Sequence, residues 1–312
     1  MHTFFNPNAP FPTWQQFLKR PDNIGLNVMQ AKQKYLTEQT NYYRMIPVTP
    51  SFAAAVGGAG STDTGVTPFT NTKSIDFDGT NDRINCGDSD SLSFGNGTDD
   101  SPFSISAWIN VDDTSVNRII NKTTVSSGGE WLFTTGTAAR TLVLNLYDHP
   151  ATVHSGPYRG KAGTTSFNSY IGQWVHVAAT YDGRGGDTAN AGINLYFNAA
   201  LESTTNITAG TYVAMSNTSS PVQIGADPSW TNNYMNGKID EISVFNTALS
   251  SEDITNIYNS GTPNDLSSYS SLVHWWRMGD GDTFPTITDN KGNNDGTMTN
   301  MALDDIVENV PG

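Results

Sequence analysis

Cysteine is almost absent. Cys86 is the only one in 312 residues, so no disulfide can form within the chain. Cys86 itself reads as a small buried hydrophobe in a strand. Positive charge is scarce too: 16 Lys and Arg face 30 Asp and Glu, a formal net charge of −14. A general nucleic-acid binder needs a basic surface, so that class is excluded. No apolar run approaches the ~18 residues that a spanning helix needs. The opening residues, Met1-His-Thr-Phe-Phe-Asn-Pro, carry neither a basic stretch nor an apolar one, so no cleaved secretion signal is expected. A serine nucleophile elbow, a P-loop, CxxC pairs and HExxH are also missing.

Charged residues of both signs make up only 15% of the chain, and Gly, Asn, Ser and Thr fill the space. That composition suits many short strands joined by tight turns. From residue 73 the apolar residues alternate. Ile75 and Phe77 share a face, as do Phe103, Ile105, Ala107 and Ile109, then Leu142, Leu144 and Leu146, then Val175 and Val177, then Ile193, Leu195 and Phe197. Turn signals such as Asp78-Gly and Asp182-Gly separate them. The pattern predicts two antiparallel sheets packed face to face. One helix stands out after Leu249, with Ser250 as cap, Asp253 completing a capping box and Gly261 as its stop.

Four segments, in order, carry a family likeness. They are Lys73-Ser-Ile-Asp-Phe-Asp-Gly-Thr-Asn-Asp-Arg-Ile-Asn, Phe103-Ser-Ile-Ser-Ala-Trp-Ile, Trp174-Val-His-Val-Ala-Ala-Thr-Tyr-Asp-Gly and Gly237-Lys-Ile-Asp-Glu-Ile-Ser-Val-Phe-Asn-Thr-Ala-Leu-Ser. They resemble the laminin-G-like, concanavalin-A-like β-sandwich family. The resemblance implies an all-β fold, a two-sheet antiparallel jelly-roll sandwich, here with an extended and partly helical N-terminal arm. Such folds usually present a recognition surface and only sometimes an active site.

Four regions are expected: an arm over 1–50, a small-residue linker over 51–72, the laminin-G-like sandwich over 73–261 and C-terminal strands over 262–312. The arm holds five cations against two anions, a net of about +3 that leaves about −17 on the remainder. It is dense in aromatics: Phe4, Phe5, Phe11, Trp14 and Phe17. A helix is expected from about Asn27 to Arg44, with too thin an apolar stripe to stand alone. The arm either folds back on the sandwich or anchors the chain to a partner or to copies of itself. Residues 262–312 resemble the opening strands of a second such module but are too few to form one. They add strands in cis or in trans.

The chemistry expected is binding. One large hydrolase family of this fold carries Glu-x-Asp-x-(x)-Glu on one strand, placing two glutamates about 5 Å apart on one face. Lys238-Ile-Asp-Glu-Ile lacks the upstream glutamate, and Asp240 and Glu241 would point to opposite faces of a regular strand. His149, His154 and His176 fall in no arrangement with a base. Asp240, in phase with Ile242 and Val244, is drawn inward unless a bulge intervenes, and a buried carboxylate needs a partner. The resemblance makes it a candidate ligand of a structural Ca²⁺, with Asp78 as a second, turn amides being the alternative partners. Trp131, Tyr147, Tyr158, Trp230 and Tyr234 are the candidate glycan-stacking rings, while Trp108, Trp174, Trp275 and Trp276 read as core.

The resulting expectation is a non-enzymatic virion structural protein of a bacteriophage, made in the host cytoplasm, either a capsid decoration or a tail appendage. Its arm would bind other virion proteins or copies of itself, and its sandwich would display a surface to host polysaccharide. The alternatives are an extracellular lectin or adhesin, and a glycan-active enzyme.

Overall fold

A computed structural model describes Lys34, which is helical, and residues 69–312 apart from 114, 125–127, 137–139, 150–155 and 228–232. The aromatic cluster Phe4, Phe5, Phe11, Trp14 and Phe17, together with His154 and Trp230, lies outside the described residues. The chain divides into two compact units, Met1–Val66 and Thr67–Gly312, and the architecture that follows is that of the second.

Two sheets form, with every paired strand antiparallel. The eight-stranded sheet runs, numbering strands in chain order, β10 (Ala200–Leu201), β9 (Ile193–Phe197), β8 (Val175–Tyr181), β3 (Phe103–Val111), β13 (Asn236–Phe245), β1 (Ser74–Asp78) and β17 (Ile306–Val307); β14 (Leu272–Trp276) also pairs with β13. The nine-stranded sheet runs β11 (Thr204–Ala209), β7 (Tyr158–Ser166), β6 (Thr141–His149), β5 (Gly128–Thr135), β4 (Arg118–Thr124), β12 (Val222–Ile224), β2 (Arg83–Asn85), β16 (Gly296–Thr299) and β15 (Thr286–Ile287). The alternating stripes meet between the sheets: Phe103, Ile105, Ala107 and Ile109 face Leu142, Leu144 and Leu146 in one continuous core. Residues 262–312 supply strands to both sheets of their own chain, which covers edges that would otherwise be exposed.

Helix α1 (Ser251–Tyr258) starts with the capping box of Ser250 and Asp253 and ends on Asn259 in the left-handed conformation. Its Ile254 and Ile257 join Phe245, Leu249, Leu266, Leu272 and Trp275 in a second core on the outer face of the eight-stranded sheet. That cover explains why all nine residues of β3 are buried. Trp108, Trp275 and Trp276 are buried as expected, but Trp174 is half-buried and donates through its indole N–H to Asn309 Oδ1.

β13 departs from the alternation in a way that matters for its carboxylates. β1 flanks its first half and β14 its second, leaving Asp240 and Glu241 between the two partners. The register to β3 slips between Asp240 and Ser243, and Glu241 takes φ of +46°. This is a β-bulge. Ile239 and Ile242 both point into the main core, so Asp240 is not in phase with Ile242. It lies on the outer face, opposite Trp108. Glu241 reaches Trp275 on that same face, so the two carboxylates do not point to opposite sides.

Candidate functional site

The outer face of the nine-stranded sheet gathers the polar residues best suited to bind a ligand. In β6, Leu142, Leu144 and Leu146 turn inward, which sends Asn145 and Tyr147 outward. In β12, Val222 and Ile224 turn inward and Gln223 outward. The ladder places Asn145 opposite Leu132, Leu132 opposite Asn121, Asn121 opposite Gln223, Gln223 opposite Asn85 and Asn85 opposite Thr297. Four amide side chains, Asn145, Asn121, Gln223 and Asn85, therefore share one register line that crosses the sheet from β6 to β16 over about 24 Å at the usual strand spacing, with Leu132 between the first two and Thr297 at its end. Gly160 lies across from Asn145, and a Cβ there would sit 2.1 Å from Asn145 Oδ1, so only glycine leaves room for that amide.

Beside the row, Tyr147 pairs across the ladder with Tyr158, their rings 5.9 Å apart and inclined by 58°. Asn145 Nδ2 donates to the Tyr147 hydroxyl at 3.2 Å. Burial pushes the Tyr147 phenol up to about 12, against the opposing effect of that bond, so it stays protonated at neutral pH. Arg118 donates to Thr134 Oγ1 at 2.9 Å and lies 3.5 Å from Asp227, both side chains buried. Burial lowers the Arg118 pKa, and Asp227 opposes that fall. Asn121 Nδ2 donates to the Ala226 carbonyl at 2.6 Å, while Thr123 Oγ1 lies 3.0 Å from Asp227. Asn145 Oδ1, Gln223 Oε1 and both ring nitrogens of His149 are buried without a hydrogen-bond partner among the described residues. Buried polar atoms left without a partner are costly.

The aromatic candidates separate. Tyr147 and the half-buried Tyr158 meet on this face. Tyr234 is half-buried and bridges Ala226 beyond the end of β12. Trp131 has no exposed surface: it is wedged between the sheets near Phe94 and Phe103, its indole N–H held by the Leu92 carbonyl at 2.9 Å. It can offer no ring to a sugar, because it follows the inward phase it shares with Phe133.

The Ca²⁺ candidates do not converge. Asp78 is exposed at the end of β1 and accepts the amides of Thr80 and Asn81, while β13 places Asn236 opposite it, four residues from Asp240. No group of three or more His, Cys, Asp or Glu among the described residues could hold a metal ion. Asp240 and Asp78 therefore do not fit as joint ligands. All four oxygens of Asp240 and Glu241 are already engaged, by Asn71 Nδ2 and the Glu241 amide, and by Arg277 Nε and Trp275 Nε1. They serve as a clasp. Residues 69–72, the end of the expected linker, lie against the sandwich here: Arg277 stacks 4.5 Å from the Phe69 ring, and Thr72 donates twice to Asp280.

His176 is fully buried, 2.7 Å from Ser106 Oγ, and its pKa falls to about 3 because burial disfavours the charged ring. It stays neutral and outside any surface site.

These sheets, their order and the match of more than half of the sequence, residues 78–255, place the chain in the concanavalin A-like lectin/glucanase superfamily. No curated protein matches the sequence. Among solved structures, a candidate carbohydrate-binding protein from Bacteroides ovatus is 20% identical with a TM-score of 0.48, the likeness covering 77% of this chain and 62% of that one. A heptameric SAP-like pentraxin from Limulus polyphemus is 15% identical with a TM-score of 0.35, covering 58% and 83%. The CBM40 of the Ruminococcus gnavus IT-sialidase, solved with α2,3-sialyllactose, is 13% identical with a TM-score of 0.39, covering 60% and 96%. Among the described residues, no helix is long and apolar enough to cross a membrane.

Proposed function

We propose that this chain is a carbohydrate-binding module whose glycan surface is the outer face of the nine-stranded sheet. The observation that carries it is the Tyr147–Tyr158 pair on the outward face, beside the half-buried Asn145 and in line with the exposed Asn85. Sugar hydroxyls pair with amide side chains, and the apolar C–H face of a sugar ring stacks on tyrosine. The net charge of −14 disfavours polyanions, so neutral polysaccharides are the expected ligands. Retention on immobilised neutral glycans tests this, with Tyr158→Ala and the Asn145→Ala/Gln223→Ala pair as variants. Retention lost in folded variants supports the reading. Equal retention by wild type and both variants removes this face as the site.

The finer reading is a virion component, a capsid decoration or tail appendage, with residues 1–50 as its anchor. Its support is the sequence of that segment: about +3 against about −17 for the remainder, and five aromatics within its first 17 residues. Sedimentation with particles lacking the protein tests it. Full-length chain should pellet, and a chain starting at Ser51 should not. A free extracellular lectin would pellet in neither form.

A further inference from the structure

Ser91, His274 and Asp289 come from three distant segments and form one hydrogen-bonded line. Ser91 Oγ lies 2.8 Å from His274 Nε2, and His274 Nδ1 lies 2.6 Å from Asp289 Oδ2. Ser91 sits in a short 3-10 turn, Asp90–Leu92, and is exposed, whereas His274 on β14 and Asp289 after β15 are buried. We infer that Ser91 is an activated nucleophile, with His274 as its general base and Asp289 as the residue that positions the base, and that the class of group it attacks is a carboxylic ester.

The direction of every proton follows from the partners. Asp289 also accepts from the backbone amides of Trp275, Lys291, Gly292 and Asn294. Burial alone would raise its pKa, but these bonds and His274 outweigh burial and hold it at about 2. The carboxylate is therefore an acceptor only, so Nδ1 of His274 carries the hydrogen. In the neutral ring Nε2 must then accept, and the donor facing it is the Ser91 hydroxyl. Ser91 Oγ in turn receives the hydroxyl of Ser89, 2.7 Å away. The imidazole cannot swing. It stacks on Trp276 with centroids 5.5 Å apart and planes within 9°, and the Gly292 backbone packs so closely that a Cβ there would lie 2.5 Å from Nδ1. This is the serine–imidazole–carboxylate order of acyl-transfer sites, which are recognised by geometry and not by fold.

In the reaction, Ser91 Oγ bonds to the ester carbonyl carbon while its proton passes to His274 Nε2. The carbonyl oxygen becomes an oxyanion. The Ser91 N–H, held by a long 3.4 Å contact to Ser89 Oγ, would turn to donate to it. The C–O bond to the leaving alkoxide breaks, and that oxygen takes the proton from His274. Water then attacks the acyl-serine and gives a proton to His274, which passes it to Ser91 Oγ as the acyl C–Oγ bond breaks, releasing the carboxylic acid and restoring Ser91 and the neutral imidazole. Ester and water become acid and alcohol, with no redox partner required.

A fluorophosphonate probe tests this on the full chain, its phosphorus bonding to serine Oγ as fluoride leaves. The expected result is a label on the peptide containing Ser91, absent in Ser91→Ala and slowed at least ~100-fold in Asp289→Asn, with slow hydrolysis of p-nitrophenyl acetate showing the same losses. Ser91→Ala replaces an exposed side chain, so it should stay folded and keep its glycan retention, which separates this inference from the binding reading. No label on Ser91 above the Ser91→Ala background, or equal labelling of a folded Asp289→Asn, would overturn the proposal and leave the three residues as a tie between the 3-10 turn and β14.

Discussion

Glu241 and Arg277 form an ion pair in the gap that β1 and β14 leave along β13, with Nε 3.0 Å from Oε1 and the two side chains 3% and 16% exposed. Burial raises the Glu241 pKa to about 7, against the pull of Arg277. The folded state thus holds this proton more tightly than the unfolded chain. The contribution to stability is complete below the unfolded value, near 4.5, and is lost as pH rises through about 7. Between pH 4.5 and 7 the wild type should therefore lose stability relative to Glu241→Gln, by on the order of 1–3 kcal/mol. Urea melts at pH 5 and 7.5 check it, and a gain for the wild type over that interval would show the sign to be wrong.

Arg277→Ala should loosen residues 69–72. The guanidinium stacks on Phe69, binds the Thr70 carbonyl and neutralises Glu241. Its removal takes away the charge that opposes burial, so Glu241 takes up its proton at neutral pH while Phe69 and the Thr70 carbonyl lose their partner. Limited proteolysis should cut next to Phe69 faster in the variant, and unchanged cutting would mean the clasp is held elsewhere.

Trp131→Ala should cost about 3–5 kcal/mol, since it empties a fully buried site and strips the Leu92 carbonyl of its donor. A thermal melt reads this directly. If Trp131 were instead a surface ring, stability would barely move.

Lys122 is fully buried, with Nζ 3.1 Å from Glu130, 2.5 Å from Asp88 and bonded to the carbonyls of Thr218 and Ser220. Lys122→Met alone should cost about 3–5 kcal/mol, because the Glu130 charge is left buried. The double variant with Glu130→Gln should lose less than the sum of the two single changes. Strict additivity in urea melts would argue against the pairing.

The inward stripes are legible in the sequence because a half-buried strand writes its phase into every second residue, as in Leu142, Leu144 and Leu146. The bulge is harder to read, although it leaves a trace. Ile239 and Ile242 are three apart, a spacing that a regular strand cannot place on one face. Trp131 misleads because Glu130-Trp-Leu-Phe presents bulk on both faces, and nearby Gly128 and Gly129 suggest a loop. The amide row and the Ser91–His274–Asp289 line depend on ladder register and on contacts between residues up to 183 positions apart. No local pattern encodes such distances.

The pairing of β1 with β17, which sets Ile75 against Ile306, also has a temporal side. During synthesis, β1 leaves the ribosome long before either of its neighbours, β13 or β17, exists. Its apolar residues Ile75 and Phe77 must wait through most of translation before they can be enclosed. Contacts this remote make folding slow and leave nascent strands open to mispairing. The alternating stripes and the Gly, Asn and Ser of the intervening turns are then the local guides to a structure that closes when β17 meets β1.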